Sequence, residues 1–248
     1  MKNAPQALQV EIFIPCFMDQ VYPETGFNMV KILEKLGCQV HYFSNQTCCG
    51  QPAYNAGFFD DAKEIALKFL TDFSANERYI VGPTASCVGM LRNSYEHFFV
   101  GNEHEPLFRK FQARVFEFTE FLLQVLEVDA VPGAELQGIA TYHDSCSALR
   151  ECGIKEGPRQ LLSHVKGLKL VEMADTETCC GFGGTFAVKF EQISTGMAAQ
   201  KTDNATDTGA DFLISTDSSC LLQLDGYTRK HNKAIKPMHI VDVLASGW

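Results

Sequence analysis

Two copies of one cysteine pattern constrain this chain of 248 residues more than any other feature it has. In the first copy 31 residues separate Cys16 from Cys48-Cys49-Gly50, and 37 more separate Cys49 from Cys87. In the second, 32 residues separate Cys146 from Cys179-Cys180-Gly181, and 39 separate Cys180 from Cys220. The offsets between copies are 130, 131 and 133 residues, so the chain is an internal duplication with small insertions. Eight of its ten cysteines fall in the repeat; Cys38 and Cys152 stand outside it.

Hydrophobic patterning repeats with the cysteines. Runs of β-branched and aromatic residues at 10–14 and 138–142 predict a strand just before Cys16 and Cys146. Helical segments are expected at 24–36 and 156–165, stopped by Gly37 and near Gly167. Second strands follow at 39–43 and 169–173, amphipathic helices at 58–73 and 189–208, and third strands at 78–82 and 211–215. Fourth strands at 114–117 and 237–240 lead into helices at 118–126 and 241–245. Alternating strands and helices imply an α/β fold: two tandem, repeat-related α/β subdomains with parallel sheets and one Cys-Cys-Gly motif each. The expected domains are 1–130 and 131–248, divided where Val131-Pro132-Gly133 breaks the helical pattern. Residues 101–106 are an insertion of the first half, read as a surface loop.

Composition narrows the function. With 30 Asp and Glu against 21 Lys and Arg, the net charge of −9 disfavours a general nucleic-acid binder. No apolar run reaches the roughly 18 residues of a membrane span, and Met1 to Gln6 lack the apolar stretch of a signal peptide, so a cytoplasmic protein is expected. In that reducing compartment ten cysteines read as thiols, metal ligands or redox groups rather than as five disulfides.

Adjacent cysteines have Cα atoms about 3.8 Å apart, too close for an ordinary bridge. On a tight turn ended by Gly50 or Gly181, however, both thiolates can reach one metal centre. Each half places its outer cysteines just past the carboxyl ends of strands, where open α/β sheets form ligand crevices, so one site per half is expected. Four thiolates suffice for a [4Fe-4S] cluster: Cys16, Cys48, Cys49 and Cys87 in one half, and Cys146, Cys179, Cys180 and Cys220 in the other. One or two clusters per chain are therefore expected. Ser86, Ser145, Ser218 and Ser219, with backbone N–H groups around Gly181, Gly183 and Gly184, are candidate donors to sulfur. A thiol redox pair is the alternative chemistry, and zinc fits less well because its ligand pairs are usually spaced by two to four residues. Cys38 reads as a small buried hydrophobe, and Cys152 as a buried thiol, with auxiliary ligand or resolving thiol as the alternatives; His143 with Asp144 is the best acid/base pair in the chain, although a satisfied structural histidine is the commoner case.

The two Cys-Cys-Gly turns resemble those of the cysteine-rich, or CCG, domain proteins, among them the cysteine-rich subunit of heterodisulfide reductase and the iron-sulfur subunits of glycolate oxidase and anaerobic glycerol-3-phosphate dehydrogenase. The strings Thr47-Cys48-Cys49-Gly50-Gln51-Pro52-Ala53-Tyr54-Asn55-Ala56-Gly57 and Cys179-Cys180-Gly181-Phe182-Gly183-Gly184-Thr185-Phe186 look more narrowly like the lactate-utilisation protein A family, a resemblance that spans nearly the whole chain. It implies an iron-sulfur subunit of a cytoplasmic three-protein system that oxidises L-lactate to pyruvate. A ferredoxin-like iron-sulfur protein and a third small subunit would be its partners; if the oxidation itself takes place in this chain, His143 is the candidate proton acceptor on its own chemistry, not on the resemblance. A thiol/disulfide redox component of the heterodisulfide reductase type and a metal-binding structural subunit are the alternatives. The fullest CCG pattern ends in Cys-x-x-Cys, whereas here Met90 and Gln223 occupy the last position, which favours a four-cysteine cluster over a five-cysteine one.

Overall fold

The computed structural model describes residues 7–248; the opening residues read above as lacking a signal peptide lie outside them. Among the described residues eight strands form two four-stranded sheets, β1 (Gln9–Ile12), β2 (Gln39–Tyr42), β3 (Tyr79–Gly82) and β4 (Val115–Glu117) in the first, and β5 (Glu135–Tyr142), β6 (Lys166–Leu170), β7 (Phe212–Ser215) and β8 (Lys236–His239) in the second. Their orders, β2-β1-β3-β4 and β6-β5-β7-β8, are the same, and every pairing is parallel. The duplication read from the cysteines is therefore a duplication of topology.

In each sheet the chain first steps outward from the opening strand and then crosses to its other side. The switch point lies between β1 and β3, and between β5 and β7. Neighbouring crossovers there leave in opposite directions and open a crevice at the carboxyl ends, the place occupied by the segments carrying Cys16, Cys87, Cys146 and Cys220.

One apolar core runs between the two halves. Val10, Ile12, Met29 and Phe121 of the first pack with Tyr142, Leu161, Ile214 and Val243 of the second, all buried. The helix Pro23–Lys35 meets the helix Ile240–Leu244, while Phe118–Gln124 meets Glu156–Ser163. These contacts are equivalent under the repeat, so the halves dock about an approximate two-fold axis. The outer faces have separate cores. That of the first half is aromatic, with Phe13, Phe69, Phe73, Tyr95, Phe99 and Phe111 in edge-to-face and stacked pairs. That of the second is smaller in its side chains, with Ala198, Ala205, Leu213 and Leu224.

Most expected elements fall within a few residues of their places. The second strand of the second half differs: it spans Lys166–Leu170 instead of 169–173. β5 begins early, at Glu135, which pairs with Lys166, and Gly167 at φ +83° carries the chain through the strand instead of ending a helix there. Residues 101–106 are a surface loop only as far as His104, since Glu105 starts the helix Glu105–Gln112, which buries Phe108 and Phe111. The helices Ala85–Gly89 and Ser218–Lys230 went unread because loop-like Ser and Thr open both. No helix among the described residues is long and apolar enough to cross a membrane.

Candidate metal centre

Four of the eight repeated cysteines sit in the first turn of a helix. Cys16 and Cys146 are the first residues of Cys16–Val21 and Cys146–Arg150, and Cys87 and Cys220 are the third residues of Ala85–Gly89 and Ser218–Lys230. First-turn N–H groups have no partner within the helix itself and need one from outside it. The caps are shared between halves. Asp217, 2% exposed, accepts from Ser219 N–H of its own helix at 3.1 Å and from Ser86 N–H of the first half at 2.9 Å. Thr84, its repeat counterpart, lies 3.2 Å from the Ser218 hydroxyl. Ser145 caps its helix by accepting from Ala148 N–H at 3.1 Å.

The Cys-Cys-Gly turns supply the other sulfurs. Gly50 and Gly181 adopt φ of +84° and +89°, the left-handed region, and each then donates its N–H to the sulfur two residues back, Cys48 or Cys179, at 3.4 Å. Gly183 and Gly184, also at positive φ, line the cavity wall beyond the second turn.

All eight repeated cysteines line one cavity of about 580 Å³ between the halves. The four cysteines expected in each half stay grouped by half, and docking of the halves turns the carboxyl ends of both sheets toward a common space. Phe17 and Phe182, edge-to-face at 5.6 Å, come together there from the two halves, and Glu151 and Asp217 add acidic groups. Burial, then the nearby Asp217, raises the Glu151 carboxyl above its usual range.

The thiols perturb one another strongly. The Cys16 thiol is pushed up by its hydrogen bond to Cys48, 4.0 Å away, and by burial. Cys179 is held well below the ordinary thiol range by the adjoining Cys146 and Cys180 thiols and by Gly181 N–H, which donates to it at 3.4 Å, while Cys146 and Cys180 are driven up by the same neighbour. One thiolate held by neighbouring thiols is a site whose protons a cation can replace.

His143 does not line this cavity. It lies behind the second set, fully buried, with its ring and the sulfurs of Cys180 and Cys220 mutually within 4.8 Å. Neither ring nitrogen has a hydrogen-bond partner; the Thr176 carbonyl approaches without meeting bonding geometry. Burial, with the Lys201 ammonium, lowers its pKa to about 4, so the imidazole is neutral near pH 7. Asp144 is not paired with it. Both its oxygens accept from Arg159 at 2.8 Å, and Arg159 also reaches Glu172. Cys38 belongs to the core between the halves, and Cys152 packs in the first outer core with its thiol donating to the Ala85 carbonyl at 3.5 Å. Met90 fills that same core, and Gln223 donates to Ser194, which in turn donates to the Gly181 carbonyl and so supports the second turn. Asp217, which caps both cysteine helices, was missed; its place three residues before Cys220 was the available signal.

The donor chemistry suits a thiolate-bound metal centre, with soft sulfurs, backbone N–H groups on two of them, helix N-termini behind four and an orphaned imidazole beside Cys180 and Cys220. Comparison with known proteins agrees with the duplication. The cysteine-rich domain family, CCG, matches residues 10–92 and again 140–225. Lactate utilization protein A of Geobacillus kaustophilus (strain HTA426) is 44% identical over 238 residues, covering 96% of this chain and 98% of that one. Its counterpart in Exiguobacterium sp. (strain ATCC BAA-1283 / AT1b) is 43% identical over 243 residues, 96% and 97% of the two chains. Among solved structures, a hypothetical protein from Helicobacter pylori superposes with a TM-score of 0.63 at 13% identity, covering 99% of this chain and 49% of that one, a likeness of fold alone.

Proposed function

The chain belongs to the lactate utilization protein A family, with the cysteine-rich domain present twice, and from that premise we propose that it is the iron-sulfur electron-transfer subunit of a cytoplasmic system oxidising L-lactate to pyruvate. One observation carries the reading: two four-cysteine sets, one from each repeat, open onto the same cavity. Oxidation of a 2-hydroxy acid to a 2-oxo acid releases two electrons and two protons. Iron-sulfur clusters held by these thiolates would take electrons one at a time, and two adjoining sites match the pair. Cys16, Cys48, Cys49 and Cys87 would hold one [4Fe-4S] cluster, and Cys146, Cys179, Cys180 and Cys220 the other. The protein's part is to supply thiolates at helix N-termini, to donate N–H from Gly50 and Gly181 to sulfur, and to keep the Phe17–Phe182 side of the cavity apolar. Electrons would leave to a ferredoxin-like iron-sulfur partner, with a third small subunit completing the system.

Protein purified without oxygen is expected to contain iron and acid-labile sulfide and to show a broad visible absorbance that bleaches on reduction. Cys179→Ser should remove the contribution of the second set and leave the first. Absence of iron and sulfide from oxygen-free preparations sinks the cluster reading. One distance favours a second reading: 4.0 Å between Cys16 and Cys48 is near the edge, about 3.8 Å, of a tetrahedron of thiolates around one zinc ion. Zinc in stoichiometric amount, without sulfide, would select that structural role.

A further inference from the structure

His143 has an environment that neither a structural nor a catalytic role explains. A structural histidine in a core satisfies its ring nitrogens, because a buried polar atom without a partner costs about 1–3 kcal/mol. Here both are unsatisfied in a residue with no exposed surface. A base acting on a substrate in the cavity needs to face it, and the ring lies behind the wall formed by Cys180 and Cys220. What the ring does face is sulfur: one nitrogen, Cys180 Sγ and Cys220 Sγ lie mutually within 4.8 Å.

The repeat supplies a control within the same molecule. Counting back 130 residues, the offset that relates Cys146 to Cys16, places Phe13 opposite His143. Each follows directly on the central strand of its sheet and is fully buried. Phe13 packs edge-to-face on Phe69 at 4.8 Å and on Phe73 at 6.1 Å, so the first cysteine set has a hydrocarbon wall behind it. Behind the second set the wall is polar, with the His143 ring and with Lys201, buried and donating to the Asp175 and Thr176 carbonyls.

We infer that the two repeats hold chemically different centres, all-thiolate in the first and mixed thiolate–imidazole in the second, where His143 ligates the metal beside Cys180 and Cys220. The inference rests on the reading that both cysteine sets bind metal. Imidazole is a suitable ligand for iron and for zinc, and a ring nitrogen without a hydrogen-bond partner within 4.8 Å of two thiols is what such a site presents before it is filled. The second half thus offers five donors for the four protein-ligand positions of a cubane, so His143 takes one in place of a cysteine, where the first half offers only four.

The test uses the full chain, purified without oxygen from cells fed nitrogen-15 histidine, in the Cys87→Ser background that silences the first centre. Pulsed electron paramagnetic resonance of the reduced protein should show a strongly coupled histidine nitrogen whose pattern changes with the isotope. His143→Phe, which copies the first half, should abolish that coupling and make the second centre's spectrum resemble the first's. A second centre containing iron and sulfide but no strong histidine coupling overturns the inference, as does coupling that survives in His143→Phe. If the variant does not fold, the labelled parent protein decides alone, since among the described residues no other histidine nitrogen groups with ligand sulfurs in this way. Zinc in place of iron and sulfide would sink the cluster reading while leaving ligation testable. Cobalt-substituted protein should then shift its visible bands on His143→Phe, and unmoved bands overturn the inference. Protein that takes up no metal overturns both.

Discussion

Gly50 and Gly181 occupy matched positions at nearly the same positive φ, yet their surroundings set different costs for a side chain. A Cβ at Gly50 would lie 3.4 Å from the Ala62 carbonyl oxygen, so Gly50→Ala carries little beyond the left-handed strain of about 1–2 kcal/mol. At Gly181 the same atom would lie 2.5 Å from the Ser194 carbonyl oxygen, which is backbone and must move. Gly181→Ala is expected to cost roughly 3 kcal/mol or more and to strip metal selectively from the second set, as read from denaturant midpoints and metal counts. Glu117 gives a pH signature away from the cysteines. Its carboxylate caps the helix Phe118–Gln124 by accepting from Thr119 N–H at 2.7 Å and Glu120 N–H at 3.2 Å, but full burial outweighs these bonds and raises its pKa to about 8. The folded state therefore keeps a proton that the unfolded chain releases near 4.5, and stability falls as pH rises from about 4.5 to about 8. Glu117→Gln should flatten that slope in thermal unfolding series; an unchanged slope would refute the assignment.

At the scale of elements, cysteine helices starting directly at strand ends couple the sheets to the site. Asp217 is the joint between halves, since one carboxylate satisfies N–H groups at the starts of Ala85–Gly89 and Ser218–Lys230. Removing it by Asp217→Ala takes a cap from each helix, at about 1–2 kcal/mol apiece. The expected result is a loss of roughly 2–4 kcal/mol in denaturant unfolding, with metal retention weakened at both centres rather than one. Loss confined to the second set would show that the bond to Ser86 matters little. The Asp144–Arg159 pair plays a related part, tying the segment before Cys146 to the helix Glu156–Ser163 and, through Glu172, to the chain beyond β6. These joints were not legible beforehand. Asp144 stands next to His143 in sequence and invites an acid/base reading, whereas its partner lies 15 residues away and is chosen by the packing of a helix against the sheet.

For the whole molecule the decisive fact is that the largest core lies between the repeats. A chain ending at residue 130 would leave the apolar faces of Pro23–Lys35 and Phe118–Gln124 in water. Residues 1–130 and 131–248 expressed separately are expected to lack a cooperative thermal transition and to regain it, with near-ultraviolet circular dichroism, when refolded together; independent cooperative folding of either half would contradict this. The intact protein should melt in one step. Cysteine spacing and strand periodicity were enough to establish the duplication, the parallel α/β class and the identity of the eight repeated cysteines, because those properties follow from local patterns repeated along the chain. They were not enough to show that both sets face one cavity, that Asp217 caps helices of both halves, that Cys152 turns into a core, or that His143 meets sulfur where Phe13 meets rings. Each of those depends on contacts between residues tens to more than a hundred positions apart in sequence, within a half or across the docked halves. That docking is set by the complementary shape of buried side chains, which only the assembled tertiary structure brings together.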